Sequence, residues 1–359
     1  MCGLIPQSAA MPGHGVLGGS LSGRFGRLST NMRAGNGDAP SRVFKDFEMP
    51  RLVTVFGCSG FLGRYVAQQL YRAGVRVRIA ETDPRRAFSL KPLGAVGQSQ
   101  FVAADIREAG QVAAAVEGSD AVINLVGVLA GDLNAIHVLG ARHVAAAAAA
   151  TGAAALVHVS AIGADPASPS AYGRSKGQGE EEVRTAFRGA TIIRPSILFG
   201  PEDNFINRFA RLARLAPVLP VLRPAVQFQP IYVADAAKAV AAAALDPDSH
   251  GGTVYELGGP QMLTMRALFE WICEATGRHR PLIDIPDPVG AALARLTGWL
   301  PGAPISWDQW LMLQQDNVVA DKAKGLKAFG IVPTPLAAVA HGWLTAYRRH
   351  GRFAVKSPY

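Results

Sequence analysis

Tyr172 and Lys176 stand four residues apart in the string YGRSK, and Ser160 lies twelve residues before the tyrosine. At that spacing on a helix the phenol and the ammonium share one face. A lysine cation beside a tyrosine favours the phenolate, lowers its pKa and makes it a proton donor or acceptor near neutral pH. The lysine can also hold sugar hydroxyls. Ser160 follows the apolar run ALVHV, and a hydroxyl at the end of such a strand reaches the crevice where open α/β sheets bind ligands. A Y-x-x-x-K set also arises by chance as an exposed helix pair, so these residues mean chemistry only if the chain brings them together.

The elements that must position them begin at RLVTVFGCSGFLG, residues 51–63. An apolar, β-branched run (52–56) ends in Gly57. Gly60 and Gly63 follow at three-residue spacing, and a helical pattern opens at once. This strand–turn–helix suits a dinucleotide: the glycines allow a tight turn and close backbone approach, and the helix N-terminus faces the pyrophosphate. A turn of the same shape without a ligand is the plain alternative. Candidate contacts here are Gly57, Ser59, Gly60, Phe61, Leu62 and Gly63; Cys58 needs only to be small.

Strands are expected at 52–56, 76–80, 100–103, 121–125, 155–159 and 190–193. Helices are expected at 60–73, 109–116, 133–150 and from near Tyr172. The alternation predicts an α/β protein, a Rossmann-type doubly wound parallel sheet. After Pro195 the pattern loosens into helices at 205–215 and 265–276, returning strands at 228–233 and 253–257, and helical segments at 319–329 and 335–350. The domain reading is a flexible extension (1–48), a Rossmann core (49–200, with returning strands near 228–258), a smaller C-terminal α/β lobe (201–227 and 259–353) and a tail (354–359). The arginines of the extension (Arg24, Arg27, Arg33) suit a transit peptide; a long tail or a true start at Met49 suits it equally.

Apolar content of 49% with 18% charged residues over 359 positions describes a globular chain. No apolar run reaches the roughly 18 residues of a spanning helix. Cys2, Cys58 and Cys273 are too scattered for a disulfide framework or a metal set, which suits a reducing compartment. The net charge is +9, and seven Lys or Arg against one acid, Asp321, lie between Asp321 and Tyr359. Such a segment suits an anionic membrane or an acidic partner, or is a solvated face; no nucleic-acid-binding module is visible. Arg208, Arg211 and Arg214 form a basic stripe beside Phe205, Ile206, Phe209 and Leu212, suited to an anionic membrane surface, a partner, or simple coverage of the core. Trp299, Trp307 and Trp310 are candidate interface anchors or ordinary core residues.

The order glycine turn, Ser160, Tyr172, Lys176 resembles the short-chain dehydrogenase/reductase superfamily, in which such Tyr, Lys and Ser serve hydride transfer beside a nicotinamide. The twelve-residue gap is short for its extended members, which puts the placement of Ser160 in doubt. The strings IIRPSILFGPEDNFINRFARLA (192–213), FQPIYVADAAKAV (228–240), HVSAIGAD (158–165) and DNVVA (316–320) narrow the likeness. They resemble the large NAD(P)H-binding accessory subunit of respiratory complex I, an atypical branch of that superfamily, in its alphaproteobacterial form. The resemblance covers about residues 50–353. It implies a tightly held NADPH, no turnover, and a structural role on the peripheral arm near the quinone region and membrane surface. It also implies a peripheral location on the cytoplasmic face of a bacterial inner membrane, or the matrix side in a mitochondrion. It adds Asp105 and Ile106 at the adenine, with Val126, Gly127 and Pro195 among the cofactor contacts.

The residues after the second strand choose between nucleotides: an acid binds a ribose 2′-hydroxyl, an arginine accepts a 2′-phosphate. This chain has Glu81-Thr82-Asp83, with Arg85 and Arg86 beyond. The acids favour NADH and the resemblance NADPH, with Arg78 and Arg85 as candidate partners of the phosphate. Two functions stand: an accessory, non-catalytic subunit, or an active NAD(P)-dependent reductase, epimerase or dehydratase acting on a sugar nucleotide, sterol or quinone-like substrate.

Overall fold

The computed structural model describes residues 51–300, 303–349 and 351. The expected extension (1–48) and tail (354–359) lie outside the described residues. Strand β1 (Leu52–Phe56) turns into α1 (Phe61–Arg72), followed by β2 (Arg76–Glu81), β3 (Ser99–Ala103), α2 (Ala109–Val116), β4 (Ala121–Asn124), α3 (Gly140–Ala150), β5 (Ala155–Val159), α4 (Ala171–Ala186) and β6 (Thr191–Pro195). Next come β7 (Leu198–Phe199), α5 (Ile206–Leu215), β8 (Leu219–Leu222), β9 (Gln227–Phe228), β10 (Ile231–Tyr232), α6 (Val233–Leu245), α7 (Pro247–His250) and β11 (Val254–Leu257). The described chain closes with β12 (Leu263–Thr264), α8 (Met265–Thr276), β13 (Leu282–Ile285), α9 (Asp287–Thr297), α10 (Trp307–Met312) and α11 (Leu336–Leu344).

Seven parallel strands form one sheet in the order β11-β6-β5-β4-β1-β2-β3. The order reverses between β1 and β4, and ligands of such sheets sit outside the carboxyl ends of the strands at that point. Two buried layers explain the nearly continuous apolar strands. Val53, Val55, Val77, Ile79 and Val157 pack with α1 and α6. Phe56, Val122, Leu156 and Ile192 pack with α2, α3 and α4 on the other face. Small sheets β10-β7, β12-β9 and β13-β8, with α5 and α8 to α11, make up the smaller lobe. Among the described residues no helix is long and apolar enough to cross a membrane.

Two expectations need correction. The alanine-rich helix expected at 133–150 opens with a π-helical turn (Asn134–Leu139) that hands over to α3 at Gly140. The helix expected at 319–329 is reduced to a short 3₁₀ turn, Leu326–Phe329. Residues 316–320 instead form a strap across the lobe. The Asn317 amide donates to the Gln227 carbonyl at 2.8 Å and the Gln229 amide donates to the Asn317 carbonyl at 3.1 Å. Within 319–329 itself, the Val319 and Ala320 amides donate to the Gln229 and Glu256 side chains at 2.9 and 3.0 Å, and the Lys324 carbonyl, which a helix would have paired internally, accepts from the Glu256 amide at 3.0 Å.

Helix α4 is fastened to the sheet by a buried charge cluster. Arg194 on β6 grips Glu180 bidentately, at 2.8 and 2.7 Å, and reaches Glu256 at 3.4 Å. Glu180 is fully buried. Breaking a buried pair leaves a charge without a partner in a poorly solvating interior. Arg194→Ala should therefore lower the unfolding free energy by about 3–5 kcal/mol in urea titrations, whereas removing the solvent-screened Arg85–Asp83 pair should leave it little changed.

Candidate functional site

The glycine turn places three glycines for two different reasons. Gly57 has φ +78°, the left-handed region, and a Cβ there would lie 3.1 Å from the Val126 amide nitrogen. Gly63 lets α1 pack onto the turn: a Cβ would lie 2.5 Å from Cys58 Cα and from the Cys58 carbonyl oxygen. Gly60 caps α1 with no side-chain acceptor on the first-turn amides, and a Cβ there would meet only the Gly57 carbonyl at 3.2 Å. A helix N-terminus with uncapped amides over a glycine turn fits a pyrophosphate. Phe61 and Leu62 begin α1. Burial raises the Cys58 thiol far above its ordinary value and leaves it inert.

At the end of β2 the Ser59 amide donates to Glu81 at 2.6 Å, so this carboxylate sits directly on the glycine turn. Arg78 corrects the expectation of a phosphate partner. Its guanidinium donates to the Ala115 and Glu117 carbonyls at 2.8 and 2.6 Å and to Gln100 at 2.9 Å. Those carbonyls lie at the C-terminal end of α2, which leads into the start of β4, so Arg78 points away from the carboxyl ends. Arg85 is exposed and paired with Asp83 at 2.9 Å. Asp105 is held by Arg107, and Ile106 is buried, its carbonyl facing His143 Nδ1 at 2.9 Å.

Beyond the switch point, α4 brings Tyr172 and Lys176 to the end of β5. Lys176 is buried, and its ammonium donates to the Val159 carbonyl at 2.8 Å. Desolvation pulls its pKa down to about 8, opposed by Glu180. The lowered phenol expected of Tyr172 is overturned: burial pushes it up to about 12. The ammonium faces a backbone carbonyl instead of the phenol, so desolvation dominates. Ser160 directly follows β5; it is buried, and its hydroxyl has no partner among the described residues. Gly127 lies against Lys176 and His137, Val126 donates to the Asn124 carboxamide at 3.1 Å, and Pro195 ends β6.

A second set of polar residues emerges only in three dimensions. The Val128 amide donates to His137 Nε2 at 3.0 Å, so His137 Nδ1 carries the proton and donates to Ser175 at 2.8 Å. Ser175 in turn donates to the Tyr172 carbonyl at 2.9 Å, and the His137 ring meets the Tyr172 ring edge-on. His158 accepts from Asn124 at 3.3 Å, leaving its Nε2 buried and unpaired. Asn124 and His158 were visible as polar interruptions of apolar strands; His137 had no local signal. Unpaired Ser160 and His158 atoms beside a glycine turn and a buried lysine fit a polar ligand. The turn would hold its pyrophosphate, and Tyr172 and Lys176 the ribose of a nicotinamide dinucleotide, which when bound supplies a hydride donor or acceptor.

Space beside Tyr172 is small. A cavity of about 50 Å³ is lined by Ile162, Ser168, Tyr172, Leu311, Met312 and Asn317, against the roughly 300–1,000 Å³ of small-molecule sites. The lobe supplies Leu311, Met312 and Asn317 to the wall of this cavity. Among the described residues no His, Cys, Asp and Glu cluster could hold a metal.

The strand order and the site define a Rossmann-type NAD(P)-binding protein of the short-chain dehydrogenase/reductase type. The profile of the NAD dependent epimerase/dehydratase family matches residues 53–258, and the chain belongs to that family. It is 36% identical over 295 residues to the "NADH dehydrogenase [ubiquinone] 1 alpha subcomplex subunit 9, mitochondrial" of Rattus norvegicus, covering 79% of this chain and 77% of that one. A ceramide reductase of Caulobacter vibrioides is 32% identical over 66% of this chain and 74% of its own. The NADPH-dependent quinone oxidoreductase QOR2 of Escherichia coli, solved with NADPH, superposes with a TM-score of 0.66 at 20% identity, over 81% of this chain and 99% of that one.

Two measurements check this site. Gly60→Val should leave the melting temperature near wild type and abolish nucleotide binding by calorimetry, because its side chain would intrude on the ligand space. Gly63→Val should unfold the turn itself, through overlap with Cys58. The second measurement is pH dependence. Burial and the nearby Lys176 drop His137 from 6.5 to about 3, so its contribution to stability is complete above pH 6.5 and is lost as pH falls toward 3. His158 shifts in the same direction. Unfolding free energy should fall across that window at up to about 1.4 kcal/mol per pH unit for each histidine, and His137→Gln should flatten the slope.

Proposed function

We propose that this chain is an accessory, non-catalytic subunit of an NADH:quinone oxidoreductase, complex I, that holds a nicotinamide dinucleotide as a structural part. The observation that carries this reading is the likeness, over most of the chain, to mitochondrial complex I subunits, and the Lys176 ammonium turned to the Val159 carbonyl instead of the phenol accords with it. Nucleotide bound only by the native state still stabilises the fold by mass action.

NADPH is the form we assign, on that family likeness. Glu81, seated on the glycine turn, is the feature favouring NADH, and with Arg78 engaged elsewhere a 2′-phosphate would rely on Arg85 and Arg86. Partners on this reading are subunits of the peripheral arm near the quinone region. The chain would lie peripherally on the membrane face that carries this arm, the cytoplasmic face in a bacterium. Val289, Leu296, Trp299 and Leu300 are exposed on and after α9, Trp299 at 77%. The exposed Arg208, which donates to the Pro304 carbonyl at 2.7 Å, places the α5 arginine stripe next to that segment. Apolar and aromatic side chains rimmed by arginine suit a subunit or anionic membrane interface. Trp310, by contrast, is 4% exposed and packs in the lobe.

An active reductase is the second reading, favoured by the presence of Ser160, Tyr172 and Lys176 and by the likeness to a ceramide reductase. Gentle detergent extraction of native membranes, native-gel separation and mass spectrometry distinguish the two. Co-migration with NADH:quinone oxidoreductase subunits is expected, and Tyr172→Phe should leave it unchanged. A small free species, or a biosynthetic activity that disappears in Tyr172→Phe with assembly intact, would overturn the subunit reading.

A further inference from the structure

Helix α4 has two N-terminal caps. Ser170 accepts locally from the Gly173 amide at 3.2 Å. Asp308, at the start of α10 and more than a hundred residues away, accepts from the Ala171 amide at 2.6 Å, the Tyr172 amide at 3.2 Å and the Ser170 hydroxyl at 3.1 Å. A carboxylate on the first amides of a helix complements its dipole. Asp308 is itself fixed by a capping box in which Ser306 and Gln309 satisfy each other's backbone amides.

The chain leaving α10 returns to the site at its other side. Asn317 Oδ1 accepts from Ser196 Oγ at 2.7 Å and the Ile197 amide at 3.2 Å, directly after Pro195. The Ala320 amide donates to Glu256 at 3.0 Å, and Glu256 leads through Arg194 to Glu180 on α4. Residues 306–320 therefore hold the start of α4 directly through Asp308 and connect with Glu180, beyond Lys176, through Glu256 and Arg194. The exposed Trp307 begins the same α10, with Arg295 over its ring at 5.1 Å.

We propose that Asp308 is a positioning residue coupling dinucleotide occupancy to the order of segment 306–320, and so to the exposed Trp307 side of the lobe. This rests on the reading of the site as a dinucleotide holder. A ligand that needs Tyr172 and Lys176 in place favours the state in which Asp308 caps α4, and by reciprocity the capped state favours the ligand. The nucleotide would then act on the lobe surface without touching it.

Hydrogen–deuterium exchange on the full chain, with NADPH and with NADH added separately, tests this directly. Saturating nucleotide should slow exchange of amides in 306–320 by at least about fivefold, and Asp308→Ala should weaken nucleotide binding by a similar factor and abolish that slowing. Asp308→Asn keeps one acceptor for the Ala171 amide and should restore part of both effects. Wild-type binding without slowing in 306–320, or undiminished binding by a folded Asp308→Ala, overturns the coupling alone. Failure of the wild type to bind either nucleotide overturns the site reading together with the coupling. The wild-type exchange measurement decides even if Asp308→Ala does not fold.

Discussion

The close approach of α4 to the sheet is the constraint on which the site depends. This helix carries the phenol and ammonium, and it packs so closely only because glycines stand at two of its contact points. A Cβ at Gly179 would overlap the His137 carbonyl oxygen, and one at Gly177 would overlap the Asp165–Pro166 peptide. Those two absences let Lys176 descend to the Val159 carbonyl and let Glu180 sit fully buried on Arg194. With α4 seated so deeply, desolvation sets the protonation of every group nearby. It holds His137 and His158 neutral, pulls Lys176 down and pushes Tyr172 up. The same burial that fixes the position of these groups thus also sets the direction in which each is shifted.

Strand order explains why a second, distant part of the chain belongs to the site. Crossovers put α1 and α4 on opposite faces, so the crevice at the switch point is walled by the core but open outward. Here α10 and the residues after it bring Leu311, Met312 and Asn317 to a small cavity beside Tyr172. Exposed tryptophan and arginine then lie on the outer side of the lobe.

Much of the Rossmann core was legible from local pattern. β1, β5, α2 and α8 match their expected bounds, because apolar periodicity and glycine position encode strand, turn and helix within a few residues. The grouping of glycine turn, Ser160, Tyr172 and Lys176 followed from strand order, since residues at carboxyl ends of parallel strands converge. The helix expected at 319–329 failed because Gln229 and Glu256, far away in sequence, captured backbone groups of Val319, Ala320 and Lys324. Arg78 failed because spacing places it near the turn but does not tell which end of the strand a long side chain seeks; two α2 carbonyls drew it the other way.

By itself, then, the sequence determined the fold class, the glycine turn and the residue types at the crevice, since these depend on short-range sterics and periodicity. The tertiary structure alone decided their state. Tyr172 is a raised phenol, His137 joins the site through Ser175, and Asp308 caps a helix from a remote lobe. The reason is physical: protonation and capping depend on how much water is excluded and which partner arrives, and both are set by segments far apart in the chain.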